Sequence, residues 1–142
     1  MNSKKSPVIA VIDDDSVYQF TASRTLKATN RDYQILQFPN GQEALNFLNS
    51  NTQTPEQVPD IIFLDINMPI TDGWKFLEEF RKLKTAIQKE IRIYMVSSSI
   101  DPRDHDRAKS IEEVTDYVEK PISLDKFSEV LLSWDSKNLG HL

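Results

Sequence analysis

No cysteine occurs anywhere in the 142 residues. Disulfides, thiolate metal sites and cysteine nucleophiles are therefore excluded. Glycine is nearly as scarce, with three residues, so no glycine-rich loop is available to cradle the phosphates of a nucleotide. The apolar runs are far too short to cross a membrane, and the opening MNSKKSP carries two lysines without the apolar stretch of a signal peptide. Basic charge is not in excess either: 17 Lys and Arg against 22 Asp and Glu leave a net charge of −5. An acidic chain gains little from a polyanion, which argues against a nucleic-acid partner. The length suits one domain with a real core, and a 27% charged share fits a globular, cytoplasmic protein with no membrane contact.

What the chain does have is alternation. Apolar runs recur at PVIAVI (7–12), YQILQF (33–38), DIIFL (60–64), IRIYMV (91–96) and DYVEK (116–120). They are rich in β-branched and aromatic residues, as strands are. The first, third and fourth show little polar alternation, which suits strands buried on both faces. Between them lie predicted helices at 16–30, 41–50, 73–84, 102–110 and 123–134. Phe76, Phe80 and Leu83 form an apolar stripe, as do Ala44, Leu45 and Leu48, and Leu124, Phe127, Leu131 and Trp134. The run PRDHDRAKS has almost no apolar face and predicts a short, loosely held helix. Strand–helix order repeated five times predicts an α/β fold: a doubly wound, five-stranded parallel sheet with helices on both faces. Residues 1–6 read as a lead, 7–134 as the domain and 135–142 as a tail.

Ligands of such sheets bind beyond the carboxyl ends of the strands. There the sequence places Asp13, Asp14 and Asp15 after the first strand, Asp65 after the third, Ser97, Ser98 and Ser99 after the fourth, and Lys120 with Pro121 after the fifth. Taken singly each has an ordinary explanation. An Asp or Ser after a strand caps the next helix, as Asp15 or Ser16 would here, and serines form turns. Together they put carboxylates, a hydroxyl and an ammonium on one edge. Adjacent carboxylates are tolerable when a cation neutralises them. An all-oxygen set suits Mg²⁺, with Mn²⁺ as the alternative. A carboxylate beside such a cation is also a nucleophile toward phosphorus, and Lys120 and the Ser97 hydroxyl would meet the charge on the phosphoryl oxygens.

The DDD after the first strand, DINMPITDG at 65–73, the serines after IYMV and the KP at 120–121 resemble a response-regulator receiver domain over roughly residues 7–134. That resemblance implies the (βα)5 flavodoxin-like receiver fold of chemotaxis-regulator type and a place in a two-component system or phosphorelay. It implies that Asp65 is the phosphoacceptor. Asp13 and Asp14 would hold Mg²⁺, Asp14 more directly, with the backbone carbonyl of Asn67 as a further ligand. Ser97 would be the switch hydroxyl, Lys120 the phosphoryl-binding lysine and Tyr117 the aromatic switch. Gly73 would fit the turn into the third helix. Departures from the family pattern are Ser rather than Thr at 97 and Ile rather than an aromatic after Pro121. The phosphoryl donor implied is a sensor histidine kinase or histidine phosphotransfer protein. With no effector domain expected to follow, output would pass to a protein target through the fourth helix, fifth strand and fifth helix, or the phosphoryl group would be relayed onward. A cis Lys120–Pro121 bond is expected, because the chain must reverse sharply there and X-Pro bonds make cis accessible.

Two other readings compete. Asp13-x-Asp15-x-Val17 also fits the opening motif of haloacid-dehalogenase-type phosphatases, with Asp13 as nucleophile and Asp65 incidental. That fold needs a further acidic pair after a strand beyond the lysine, and Asp125 and Glu129 fall in the last predicted helix instead. A receiver-like interaction module that is never phosphorylated would be expected to have lost the acceptor, the acidic pair or the lysine, all of which are present. His105, amid charges, and His141, in the tail, read as solvated; Trp74 and Trp134 read as packing or contact residues.

Overall fold

The computed structural model describes residues 6–98 and 101–139. Its elements are β1 (Val8–Ile12), α1 (Ser16–Lys27), β2 (Gln34–Phe38), α2 (Gly41–Ser50), β3 (Ile61–Asp65), α3 (Gly73–Leu83), β4 (Arg92–Ser97), α4 (Pro102–Lys109), β5 (Val114–Glu119) and α5 (Leu124–Leu139), with a 3-10 turn at Pro55–Gln57. The five strands are parallel in the order β2-β1-β3-β4-β5, the flavodoxin-like order. Among the described residues no helix is long and apolar enough to cross a membrane.

Period-two alternation divides the core. Ile9, Val11, Phe63 and Val96 point to one face, where α1 brings Ala22 and Leu26 and α5 brings Phe127, Leu131 and Trp134. Ala10, Ile12, Leu64 and Met95 point to the other, against α2, α3 and Ala108 of α4. β1 and β3 are buried along their whole length, as is β4 beyond Arg92, whereas β2 and β5 form the half-exposed edges. Burying a side chain such as Phe76 or Phe127 contributes about 1.5–3 kcal/mol by transfer alone.

Three features position the functional edge. The registers Ile12↔Leu64, Asp65↔Val96 and Ser97↔Glu119 bring the carboxyl ends of β1, β3, β4 and β5 flush. Strand order reverses at β1, so the loops after β1 and β3 diverge and leave a crevice between them. At Gly73 the first turn of α3 comes so close to β3 that a Cβ would lie 2.8 Å from the Asp65 carbonyl oxygen and 2.9 Å from Ile66 Cα.

Several element ends differ from the sequence expectation. α1 stops at Lys27 rather than residue 30, and Asn30 turns the chain with φ 58°. β5 covers Val114–Glu119 rather than 116–120; Lys120 has left the strand, though its N–H still donates to the Ser97 carbonyl at 2.8 Å. α5 continues to Leu139, so the expected tail at 135–142 is helical through 139, with Asp135 paired to Arg31 and Lys137 to Glu90. Leu124 is 42% exposed and drops out of the apolar stripe of α5, where Val130 is buried instead. α4 is short, and Ala108 is its one buried residue. Residues 1–5, 99–100 and 140–142, which include Ser99 and His141, lie outside the described residues.

Candidate functional site

The three consecutive aspartates have separate places. Asp13 directly follows β1 and is 2% exposed; its Oδ1 accepts the Asp15 N–H at 2.9 Å. Asp15 caps α1, its Oδ1 accepting the N–H groups of Val17 and Tyr18 at 2.9 and 3.1 Å. Asp14, between them, is exposed at the rim. Asp65 ends β3 and is 5% exposed. Asp13, Asp14 and Asp65 each offer an oxygen, all within 4.8 Å of one another.

Lys120 reaches this group from just beyond β5. Its Nζ lies 2.7 Å from Asp13 Oδ2 and 3.4 Å from Asp65 Oδ1, and it stands 4.3 Å above the centroid of the Tyr18 ring. The Lys120–Pro121 peptide is cis, as expected. Ser97 is fully buried at the end of β4. Asn67 is exposed two residues beyond Asp65. Tyr117 lies across from Met95 on β5, half-buried, with the His105 ring edge-to-face against it at 5.2 Å. His105, expected to be merely solvated, thus has an aromatic partner. Trp74 is half-buried with the Arg107 guanidinium 4.2 Å over its ring.

Electrostatics follow from this crowding. Burial pushes the Asp65 carboxyl up to about 6, and the charge of Asp13 adds to the effect while Lys120 opposes it. Burial by itself would lower the Lys120 ammonium. Its contacts with Asp13 and Asp65 outweigh that, and its pKa lies above the ordinary lysine value. One ammonium thus faces three carboxylates. Asp13 Oδ2, though at ion-pair distance from Lys120, receives no well-directed hydrogen bond among the described residues. A buried carboxylate oxygen in that state, inside an all-oxygen set without thiolate or imidazole, fits a hard divalent cation such as Mg²⁺. The arrangement can hold a cation and present Asp65 as an oxygen nucleophile.

The structure therefore brings Asp13, Asp14, Asp65 and Lys120 together and puts Ser97 at the adjacent strand end. Tyr117 stands on the edge strand. Two participants were not singled out from the sequence. Tyr18 puts its ring under Lys120, and its buried hydroxyl has no hydrogen-bond partner among the described residues. Burial, then Asp13 and Asp65, raise the pKa of that phenol. Gln19 Nε2 lies within hydrogen-bond distance of the carbonyls of Val11, Asp13 and Phe38, at 3.0–3.1 Å, tying α1 to the ends of β1 and β2. The available signal was position: both fall in the first turn after the acidic run. For the phosphatase reading, no strand follows Lys120 among the described residues, so the acidic pair that fold needs has no place.

The family profile for the response regulator receiver domain matches residues 9–132. Sensor histidine kinase CheAY of Helicobacter pylori is 31% identical over 133 residues, which cover 91% of this chain and 15% of that protein. Transcriptional regulatory protein PrrA of Mycobacterium tuberculosis is 32% identical over 122 residues, covering 84% of this chain and 46% of that protein. The chain thus spans less than half the length of these two curated relatives. Among solved structures, a two component response regulator from Cytophaga hutchinsonii superposes with a TM-score of 0.83 at 29% identity, covering 92% of this chain and 97% of that one. A response regulator receiver protein from Dyadobacter fermentans gives 0.77 at 27% identity, covering 89% and 96%.

Proposed function

Because this chain belongs to the response regulator receiver domain family, signalling modules of two-component systems rather than turnover enzymes, we propose that Asp65 accepts a phosphoryl group from a histidine kinase or histidine phosphotransfer protein. The observation that carries this reading is the placement of Asp65 beside Asp13, Asp14 and Lys120 at the carboxyl edge of the sheet. In the transfer, an Asp65 oxygen forms a bond to phosphorus as the bond from phosphorus to the donor imidazole nitrogen breaks. The electron pair stays on the imidazole, which is neutralised by a proton. Asp13, Asp14, an Asp65 oxygen and the Asn67 carbonyl would hold Mg²⁺, or Mn²⁺. When bound, that cation supplies positive charge against the carboxylates and the phosphoryl oxygens. Lys120 adds a second positive charge to the growing phosphoryl charge.

Ser97 would donate its hydroxyl to a phosphoryl oxygen and draw the end of β4 inward. Tyr117 would then turn toward the space so vacated, altering the face formed by α4, β5 and α5, to which a protein target would bind. A cytoplasmic setting follows from a kinase donor. Incubation with acetyl phosphate and Mg²⁺, followed by mass-spectrometric mapping, should place one labile phosphate on Asp65, and Asp65→Asn should abolish it. Undiminished label in that variant would refute the assignment.

A further inference from the structure

We propose that Tyr18 is a positioning residue for phosphoryl transfer, its ring face holding the Lys120 ammonium over the acidic pocket. This deepens the phosphoacceptor reading and rests on it. Among the described residues the Lys120 ammonium has three such neighbours: Asp13 at 2.7 Å, Asp65 at 3.4 Å and the Tyr18 ring centroid at 4.3 Å. Two of the three change in the reaction. A divalent cation bound by Asp13 competes for the carboxylate that lies closest to the ammonium, and phosphorylation converts the Asp65 carboxylate to an acyl phosphate, moving the negative charge outward onto the phosphoryl oxygens. The ring is the neighbour that neither event consumes. It attracts the ammonium through its negative face and loses nothing when the carboxylates are claimed. A lysine side chain otherwise keeps much of its rotamer freedom, which works against a fixed position over the phosphoryl oxygens.

The backbone of Tyr18 is tied down on both sides. Its own N–H is one of the two bonded by the Asp15 cap, at 3.1 Å. The next residue, Gln19, fastens α1 to the backbone ends of β1 and β2. The stretch DDDSVYQ therefore supplies the cation ligands, the cap that fixes the first turn, the ring under the lysine and the tether.

The experiment follows the initial rate of Asp65 labelling by acetyl phosphate with Mg²⁺ in the full chain. Tyr18→Leu should slow labelling by about fivefold or more, and Tyr18→Phe, which keeps the ring, should restore it to within about twofold. Tyr18→Met serves as a second ringless variant should Leu impair folding. A spectroscopic readout separates positioning from bulk. The Lys120 Hε protons, over a ring face, should be shifted upfield by the ring current in the unsubstituted chain and in Tyr18→Phe, but not in Tyr18→Leu or Tyr18→Met. Labelling of the two ringless variants at the unsubstituted rate would overturn the assignment of Tyr18. Equal slowing in Tyr18→Phe and Tyr18→Leu would transfer the effect to the hydroxyl and also overturn it. Absence of label on Asp65 in the unsubstituted chain would instead refute the phosphoacceptor reading.

Discussion

Replacing Asp65 by Asn should stabilise the metal-free protein at neutral pH. The carboxyl titrates at about 6 rather than 3.8, with burial as the leading cause, Asp13 adding and Lys120 opposing. Two pKa units at roughly 1.4 kcal/mol each make ionisation in the folded protein cost about 3 kcal/mol more than in the unfolded chain. Only 5% of the residue is exposed, but Asp14 beside it opens to solvent, so screening trims the figure to about 2–3 kcal/mol. The sign follows from proton binding. Between pH 3.8 and about 6 the folded state holds the proton that the unfolded state has lost. Stability from this group is therefore complete below 3.8 and lost as pH rises through about 6. Asn is neutral at every pH and leaves Lys120 its closest carboxylate, Asp13 at 2.7 Å.

The expected gain is about 2–3 kcal/mol, or roughly 5–10 °C in Tm, at about pH 7.5 in the presence of a chelator. Urea unfolding of both proteins at a series of pH values measures it. The gap should shrink steadily on acidification and nearly vanish at about pH 4. Adding Mg²⁺ should stabilise the unsubstituted protein more than the variant, because binding to the folded state alone raises its stability. An Asn variant no more stable than the unsubstituted protein at neutral pH without metal, or a gap independent of pH, would refute the reasoning.

Asp15→Ala removes the acceptor for two helix N–H groups and should cost about 1 kcal/mol in denaturant unfolding, while labelling of Asp65 persists; loss of label would place Asp15 among the cation ligands. Gly73→Ala forces a Cβ to 2.8 Å from the Asp65 carbonyl oxygen and should destabilise by about 1–3 kcal/mol, because backbone, not a flexible side chain, stands in the way; a neutral calorimetric result would show that α3 is free to retreat from β3. Beryllofluoride should change amide shifts mainly over 97–118, and Ser97→Ala should suppress that response while Asp65 still accepts phosphate. Changes confined to 13–15 and 65–69 in the unsubstituted protein would remove the switch roles of Ser97 and Tyr117.

The sheet was legible because β1, β3 and β4 are buried on both sides, and such strands must read as unbroken apolar runs. α2 and α3 were legible for the complementary reason, an apolar stripe such as Phe76 and Phe80 facing one core. α1 was harder, since Ala22 and Leu26 are its buried residues and much of its attachment is polar, through the Gln19 amide. Periodicity does not register an amide bridging three carbonyls. The far end of α5 was missed because its last turns carry the ion pairs Asp135–Arg31 and Lys137–Glu90 instead of an apolar face. At the site, residue types at strand ends were enough to assemble Asp13, Asp14, Asp65 and Lys120. Tyr18 escaped because an aromatic in the first turn of a helix has no chemical signature until its neighbour across the sheet edge is known.

The polar helix α4 is the element that would link the charge of the site to its surroundings. α4 buries Ala108, and two of its side-chain ties are ring contacts: Arg107 over Trp74 on α3, and His105 against Tyr117 on β5. Contacts of this kind are worth about 0.5–1.5 kcal/mol each. A hydrogen bond from Ser97 to a charged phosphoryl oxygen would contribute about 1.5–3 kcal/mol. The two quantities are of the same size, which is the condition for a switch, because a ligand moves an equilibrium only by the difference in its interaction with the two states. Had α4 carried an apolar stripe like that of α3, undocking it would cost several buried side chains at about 1.5–3 kcal/mol each, beyond the reach of one new hydrogen bond. The sparse apolar content of PRDHDRAK is therefore what would allow a charge change at Asp65 to be felt on the opposite side of β4.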